Sequence, residues 1–368
     1  MNDYIFILGR DFQLSLLELV SYFISRRIEY KIKFFNKNLA LISLPELDFN
    51  SLINKLGGTV KIARVINSIS DIKIPNFDKI KYSITEFESK NKEKIMSELK
   101  KIFKKEKIKA FFKTPDEGIG VSPSDFFNQN FFKQGFELIL FKDIIALTIA
   151  VFNPKEYEKR DERPYLQREG ITSIRIAKIL INLSQAKECD VLLDPFCGSA
   201  TILQEALLMD INVIGMDIDS RSIFFARKNL TWLKNKYKFK TDFTLINKAA
   251  QSSSSYIEKV DAVATEFLGP SFNKTPFLKD TRRIAANIAS IYSGLFEQLR
   301  IILKGGKIAI ALPKFKTKEQ VPVSINLVEI AKFSGFKLYN PFPTIQLPIL
   351  YSSRKTKIQR EIYIFEKV

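Results

Sequence analysis

Two acidic residues bracket the segment of the sequence with the most chemical content. Asp194–Thr201 reads DPFCGSAT, and the run Ile211–Met216 leads into Asp217 and Asp219. Gly198, with the small Ser199 and Ala200, lets a backbone come close to a bound molecule. Asp194, after the apolar run Cys189–Leu193, can attract a cation such as a sulfonium. Asp217 follows 23 positions on, near the roughly 20 at which a carboxylate reaches ribose hydroxyls in a nucleoside-binding crevice. A dinucleotide fingerprint and a Gly-Lys-Ser/Thr phosphate loop are both absent. A third acid, Glu266, ends the run Val260–Thr265 and is followed by Phe267. A carboxylate there can accept the N–H of an exocyclic amine while a ring holds a flat base.

Composition excludes other chemistry. The chain has 368 residues and no histidine, so a histidine base or Ser-His-Asp triad is excluded. Its two cysteines, Cys189 and Cys197, are too few for a zinc site or a disulfide framework, so we expect no metal and a reducing, cytoplasmic setting. No apolar run is long enough to span a membrane. Lys and Arg number 58 against 40 Asp and Glu, a net charge of +18, which favours polyanionic partners such as RNA.

The acids need a scaffold, and the pattern supplies one. From Ile171 helices alternate with strands, the order of a doubly wound parallel sheet. Thr172 or Ser173 starts a helix to Leu183, and another follows the DPFCGSAT turn to Leu208. Thr281–Leu303 is a long helix, Lys307–Leu312 a strand, and the stretch before Ser334 a helix. Thr344–Tyr351 and Gln359–Phe365 make a closing antiparallel pair around the basic Ser352–Lys357. Upstream, Tyr4–Gly9, Leu14–Ser25, Ile28–Phe35, Leu39–Leu44, a short helix capped by Asp48 and Thr59–Ile69 spell strand, helix, strand, strand, helix, strand: a ferredoxin-like unit. Ile80–Phe87, a basic helix over Lys90–Lys107, Ile108–Lys113, Phe136–Phe141 and Ile144–Phe152 form a second α/β unit. In that helix Ile95, Leu99, Ile102 and Phe103 make the core stripe. Pro115–Gly135 reads as a loop rich in Phe and Asn, and Asn153–Gly170 as a charged linker.

These segments resemble the THUMP-containing guanine-N2 RNA methyltransferases, in particular the tRNA guanosine-10 N2-methyltransferase group. The resemblance is carried by YIFILGRDFQLSLLEL at Tyr4–Leu19, GGTVKIARVI at Gly57–Ile66, KRDERP at Lys159–Pro164 and IAKILINLS at Ile176–Ser184. It continues in DPFCGSATILQEALLM at Asp194–Met209, VIGMDID at Val213–Asp219 and QREIYIFEK at Gln359–Lys367. It implies a ferredoxin-like domain over 1–70, a THUMP RNA-binding domain over 71–152, a linker over 153–170 and a Rossmann-like S-adenosylmethionine-dependent domain over 171–368. The implied cofactor set is Asp194, Phe196, Gly198, Ser199, Asp217 and Ile218, the implied catalytic pair Glu266 and Phe267, and the implied partner tRNA.

Three positions depart from the family's pattern. Ala200 stands where the family usually has glycine. The third strand ends Ile246-Asn247-Lys248-Ala249 without the acid that usually meets the adenine amine, and Asn247 is the candidate substitute. Glu266-Phe267-Leu268-Gly269 replaces Asp-Pro-Pro-Tyr, whose prolines fix a backbone carbonyl toward the target amine. A second class therefore stays open beside the enzyme: an RNA-binding protein that keeps the methyltransferase fold without its chemistry.

Overall fold

The computed structural model describes residues 1–74, 77, 79–166, 172–267, 275–352 and 359–368. The chain divides into two compact units, one of Met1–Leu16 with Ile28–Lys159 and one of Leu17–Arg27 with Arg160–Val368.

The first unit is built from β1 (Asn2–Leu8), α1 (Phe12–Ser25, shared with the second unit), β2 (Lys31–Phe35), β3 (Leu39–Leu44), α2 (Phe49–Lys55) and β4 (Thr59–Ile66). It continues with β5 (Lys79–Phe87), α3 (Lys92–Lys105), β6 (Lys109–Phe112), α4 (Pro123–Asn128), α5 (Phe131–Gln134), β7 (Gly135–Phe141) and β8 (Ile144–Val151). One eight-stranded sheet, in the order β2-β3-β1-β4-β8-β7-β5-β6, joins strands from both halves through the antiparallel pair of β4 and β8. Asp48 caps α2 through the amides of Asn50 and Ser51. In α3 the stripe Ile95, Leu99 and Phe103 is buried, and Ile102 packs beside it, against β5 and β7 residues such as Ile84 and Leu138.

Two local expectations need correcting here. The strand from Thr59 ends at Ile66, because Ser68 and Asp71 form a reciprocal cap that turns the chain into a short 3-10 turn. The Phe-rich stretch before Gly135 is not all loop. Ser122 caps α4 with Pro123 in its first turn, and Phe126 and Phe131 are buried with Val121 and Val151.

The second unit follows α6 (Pro154–Asp161), a helix inside the expected linker, whose residues 167–170 lie outside the described residues. Its elements are α7 (Ile174–Leu183), β9 (Val191–Asp194), α8 (Thr201–Leu207), β10 (Asn212–Met216), α9 (Ser220–Tyr237), β11 (Phe243–Ile246), β12 (Ala262–Glu266), α10 (Leu278–Ile302), β13 (Lys307–Lys314), α11 (Leu327–Phe333), β14 (Phe336–Leu338), β15 (Ile349–Ser352) and β16 (Gln359–Lys367). The sheet order is β11-β10-β9-β12-β13-β16-β14, with β15 paired to β16. The first five strands are parallel, and β16 enters antiparallel beside β13. Strand order reverses between β9 and β12, and in an open parallel sheet the crevice lies beyond the strand ends at that point. Asp194 closes β9 and Glu266 closes β12. One apolar core spans Leu193, Val263, Tyr292, Phe296, Ile310, Phe336 and Phe365. Among the described residues, no helix is long and apolar enough to cross a membrane.

Candidate active site

The apolar run of β9 keeps its strand buried and delivers Asp194 to the crevice with 2% exposure. Its Oδ1 accepts the Thr265 hydroxyl at 2.6 Å and the Phe196 amide at 3.2 Å. Burial pushes the Asp194 carboxyl up to about 7; the two hydrogen bonds pull down, and Asp217 and Glu266 add repulsion. Asp194 therefore has the acids of two further strand ends, Asp217 and Glu266, as its charged neighbours.

The turn after β9 is tied to β10. Cys197 donates its amide to the Met216 carbonyl at 2.9 Å, and Gly198 donates to Oδ2 of Asp217 at 2.9 Å. Oδ1 of Asp217 accepts the Asp219 amide at 2.9 Å, and burial raises its carboxyl against these two bonds. Gly198 has φ +49°, and the space beside its Cα is open. Asn229 of α9 holds the Ser199 carbonyl at 3.0 Å and the Tyr165 carbonyl at 3.2 Å. Asn247 spends its amide N–H groups on the carbonyls of Asp217 and Ile218, at 2.9 and 3.0 Å. Ile218 itself is 75% exposed.

On the β12 side, Glu266 is 5% exposed and pairs through Oε1 with the guanidinium of Arg360 on β16. Its Oε2 is buried without a hydrogen-bond partner among the described residues. Burial raises the Glu266 carboxyl, while Arg360 and the Thr172 side chain favour its charged form. Phe267 stands half-buried, its ring 5.0 Å from Phe196 in an edge contact and 6.2 Å from Tyr292. The Tyr292 hydroxyl is buried, lacks a hydrogen-bond partner among the described residues, and is pushed well up by burial and by Asp194 and Glu266.

The structure thus gathers Asp194, Phe196, Gly198, Ser199 and Asp217 around one turn, with Ile218 at its rim and Glu266 and Phe267 at the neighbouring strand end. Leu268, Gly269 and Pro270 lie outside the described residues. Sequence reasoning missed Thr265, Tyr292, Asn229 and Arg360. Arg360 carried little signal, since Gln359 and Glu361 flank it at the polar start of its strand. Tyr292 carried none, because it continues the apolar stripe Ile288, Leu295 and Leu299 of α10.

The sheet order and the acid-lined switch point define a Rossmann-like methyltransferase, a class whose cofactor is S-adenosylmethionine. The residues fit that group: buried acids would be relieved by a sulfonium charge, and the open backbone at Gly198 admits close approach. A family model described as DNA methylase matches residues 28–228, more than half of the chain, and one described as RMKL-like methyltransferase domain matches residues 160–321. The chain belongs to the methyltransferase family these models describe, and both matches take in Asp194 and Asp217. It is 32% identical over 187 residues to a tRNA (guanine(10)-N2)-dimethyltransferase of Methanothermobacter thermautotrophicus, covering 50% of this chain and 52% of the relative. With the enzyme of that name from Pyrococcus abyssi it shares 27% over 225 residues, covering 60% and 58%. The chain thus spans little more than half the length of these relatives. Among solved structures, TrmN from Thermus thermophilus aligns over 100% of both chains with TM-score 0.51 and 13% identity, a likeness of fold.

Proposed function

We propose that this protein transfers a methyl group from S-adenosylmethionine to the exocyclic N2 of a guanosine in tRNA. The observation that carries the reading is Oε2 of Glu266, a buried acceptor without a hydrogen-bond partner among the described residues, at the strand end next to the cofactor turn. The guanine amine is a poor nucleophile while its lone pair is spread into the ring. An acceptor for its N–H, with the base held in line by a ring such as Phe267, raises its reactivity, so positioning dominates over strong base catalysis. Bound cofactor supplies the activated methyl. Asp194 and Asp217 hold its charge and ribose, and Glu266 and Phe267 hold the base. The charge of +18 supports a nucleic-acid substrate, and the names of the relatives support tRNA rather than DNA. In this reading residues 1–70 and 71–152 form the ferredoxin-like and THUMP parts that grasp the RNA, joined by 153–170 to the catalytic part, and the protein works in the cytoplasm.

One observation favours a second reading: Oε1 of Glu266 is already ion-paired with Arg360. If the whole carboxylate were a structural tie, the protein would bind RNA and cofactor without chemistry. Labelled cofactor and unmodified tRNA transcript separate the two. The expected outcome is transfer by the parent, with Glu266→Gln slower by on the order of 100-fold at unchanged cofactor affinity. Phe267→Ala is expected to impair turnover through lost base stacking. A Glu266→Gln rate equal to the parent's removes the catalytic assignment; a parent that binds both ligands and labels no RNA establishes the second reading. Binding to tRNA is expected to weaken linearly in log–log terms with salt, and a flat response in a salt titration would show that the charge has no RNA partner.

A further inference from the structure

The catalytic loop departs from the family's pattern, and the structure shows what stands beside it. Glu266 ends β12 and is followed by Phe267-Leu268 in place of the family's two prolines. The charge that meets it comes from β16, the antiparallel strand beyond β13. There Arg360 lies opposite Pro313 on one side and Tyr351 of β15 on the other. Arg360 and Glu266 are 4% and 5% exposed. The adjacent Glu361 belongs to a separate group, taken by Lys314 at 3.1 Å, the Tyr363 hydroxyl at 2.9 Å and the Ser324 hydroxyl at 3.1 Å.

We propose that Arg360 is a positioning residue of the transfer site, holding Glu266 ionised and fixing the carboxylate by Oε1 so that Oε2 remains the acceptor for the target amine. The proposal rests on the methyl-transfer reading above. It assigns to an ion pair the role that the family's prolines perform by backbone geometry. A carboxylate this deeply buried, facing Asp194 from β9 and the Tyr292 hydroxyl from α10, would otherwise take up a proton and become a donor where an acceptor is required. Arg360 from β16 and Thr172, just before α7, are the two groups that oppose this. An arginine suits the task, because its charge does not titrate and its rigid planar guanidinium holds Oε1 in a fixed direction.

Two measurements on the full chain test the proposal. The first follows the Glu266 carboxyl by carbon-13 NMR of protein labelled at glutamate Cδ, the signal being assigned by its loss in Glu266→Gln. Arg360→Met is expected to raise the titration midpoint by about one pH unit or more, with Arg360→Lys in between. Equal midpoints in parent and variants overturn the proposal. Arg360→Lys keeps the test alive if the methionine variant does not fold. The second is the pH–rate profile of single-turnover transfer. Arg360→Met is expected to lose about tenfold near neutral pH and to recover part of it at higher pH, with KM for tRNA little changed. A loss that is uniform with pH and accompanied by a raised KM marks a structural tie and overturns the positioning role. Should the parent transfer no methyl at all, the transfer reading fails on its own account. The positioning role then falls with it, even if the NMR midpoint still depends on Arg360.

Discussion

Each unit buries a charged cluster beneath its surface, and the two clusters are built on opposite plans. In the first unit Lys61 of β4 donates to both oxygens of Glu137 of β7 at 2.8 Å, with both side chains fully buried. The same carboxylate accepts the Thr85 hydroxyl at 3.2 Å, the Thr148 hydroxyl at 2.9 Å and the Val121 amide at 2.7 Å. Gly120 makes room for the closing loop: with φ +79°, a Cβ there would lie 2.2 Å from the Glu137 oxygen. In the second unit Asp194 has the like charges of Asp217 and Glu266 as neighbours, and among the described residues an oxygen of Glu266 and the Tyr292 hydroxyl have no hydrogen-bond partner. A satisfied network rigidifies a fold, whereas acids left short of partners hold free energy that a cationic ligand or an amine can release.

The sharpest way to break that contrast is to halve the satisfied pair. Lys61→Met leaves the Glu137 charge buried with neutral donors alone, and is expected to cost about 3–5 kcal/mol of stability in denaturant unfolding. A cost near zero would mean that the network contributes no more to the fold than an apolar contact, and the contrast between the clusters would go. The methionine in place of Lys61 should leave cofactor affinity alone, since that site lies in the other unit.

The acid cluster should respond with the opposite sign. Asp194 titrates near 7 in the fold, above the roughly 3.9 of an unfolded chain. Its ionisation therefore opposes folding: the effect is absent below about pH 4, grows as pH rises, and is complete once pH passes the folded value. Asp194→Asn is expected to stabilise the ligand-free protein at pH 8 by on the order of 2 kcal/mol, and much less at pH 5. The Thr265 hydroxyl and Phe196 amide keep an oxygen to bond. Cofactor binding should weaken in the same variant, because the sulfonium loses its counter-charge. Unfolding curves at the two pH values decide the first point and calorimetric titration the second. A variant less stable than the parent at pH 8 would place Asp194 with the structural charges rather than the functional ones.

The two clusters also differ in how far they could be read from the sequence. Asp194, Asp217 and Glu266 were legible because each ends an apolar strand run, and strand ends in an alternating α/β pattern point into one crevice. Lys61 and Glu137 were overlooked, although Glu137 is the lone charge in the apolar strand GFELILF and calls for a partner; Lys61 shares TVKIARVI with Arg64 and stands out less. Pairing Lys61 with Glu137 needed the order β4-β8-β7, and pairing Glu266 with Arg360 needed β16 to insert beside β13. Neither follows from local pattern, because contacts between distant strands depend on how the sheet is threaded. The two helices α4 and α5 were obscured for another reason. Phe and Asn favour neither state strongly, so the Ser122-Pro123 cap was the only local sign.

The smallest effect concerns Ala200, where the family usually has glycine. The structure places it at φ +74°, ψ +35° as the N-cap of α8, a left-handed conformation that costs a residue with a Cβ about 1–2 kcal/mol. Ala200→Gly removes that strain. It also frees the unfolded chain, which costs about 0.4–1 kcal/mol, and strips a methyl that is wholly buried, worth about 0.8 kcal/mol. The terms nearly cancel, so Ala200→Gly is expected to shift stability by less than about 1 kcal/mol in either direction. Cofactor affinity should hold as well, because the bonds that shape the turn run through Cys197, Gly198 and Ser199 rather than the Ala200 side chain. Unfolding and calorimetric titration of the one variant check both. A gain well above 1 kcal/mol would show that the turn stores strain after all, and would add a backbone component to the unsatisfied character of the acid cluster. A fall in affinity would show that the methyl itself shapes the ligand's seat.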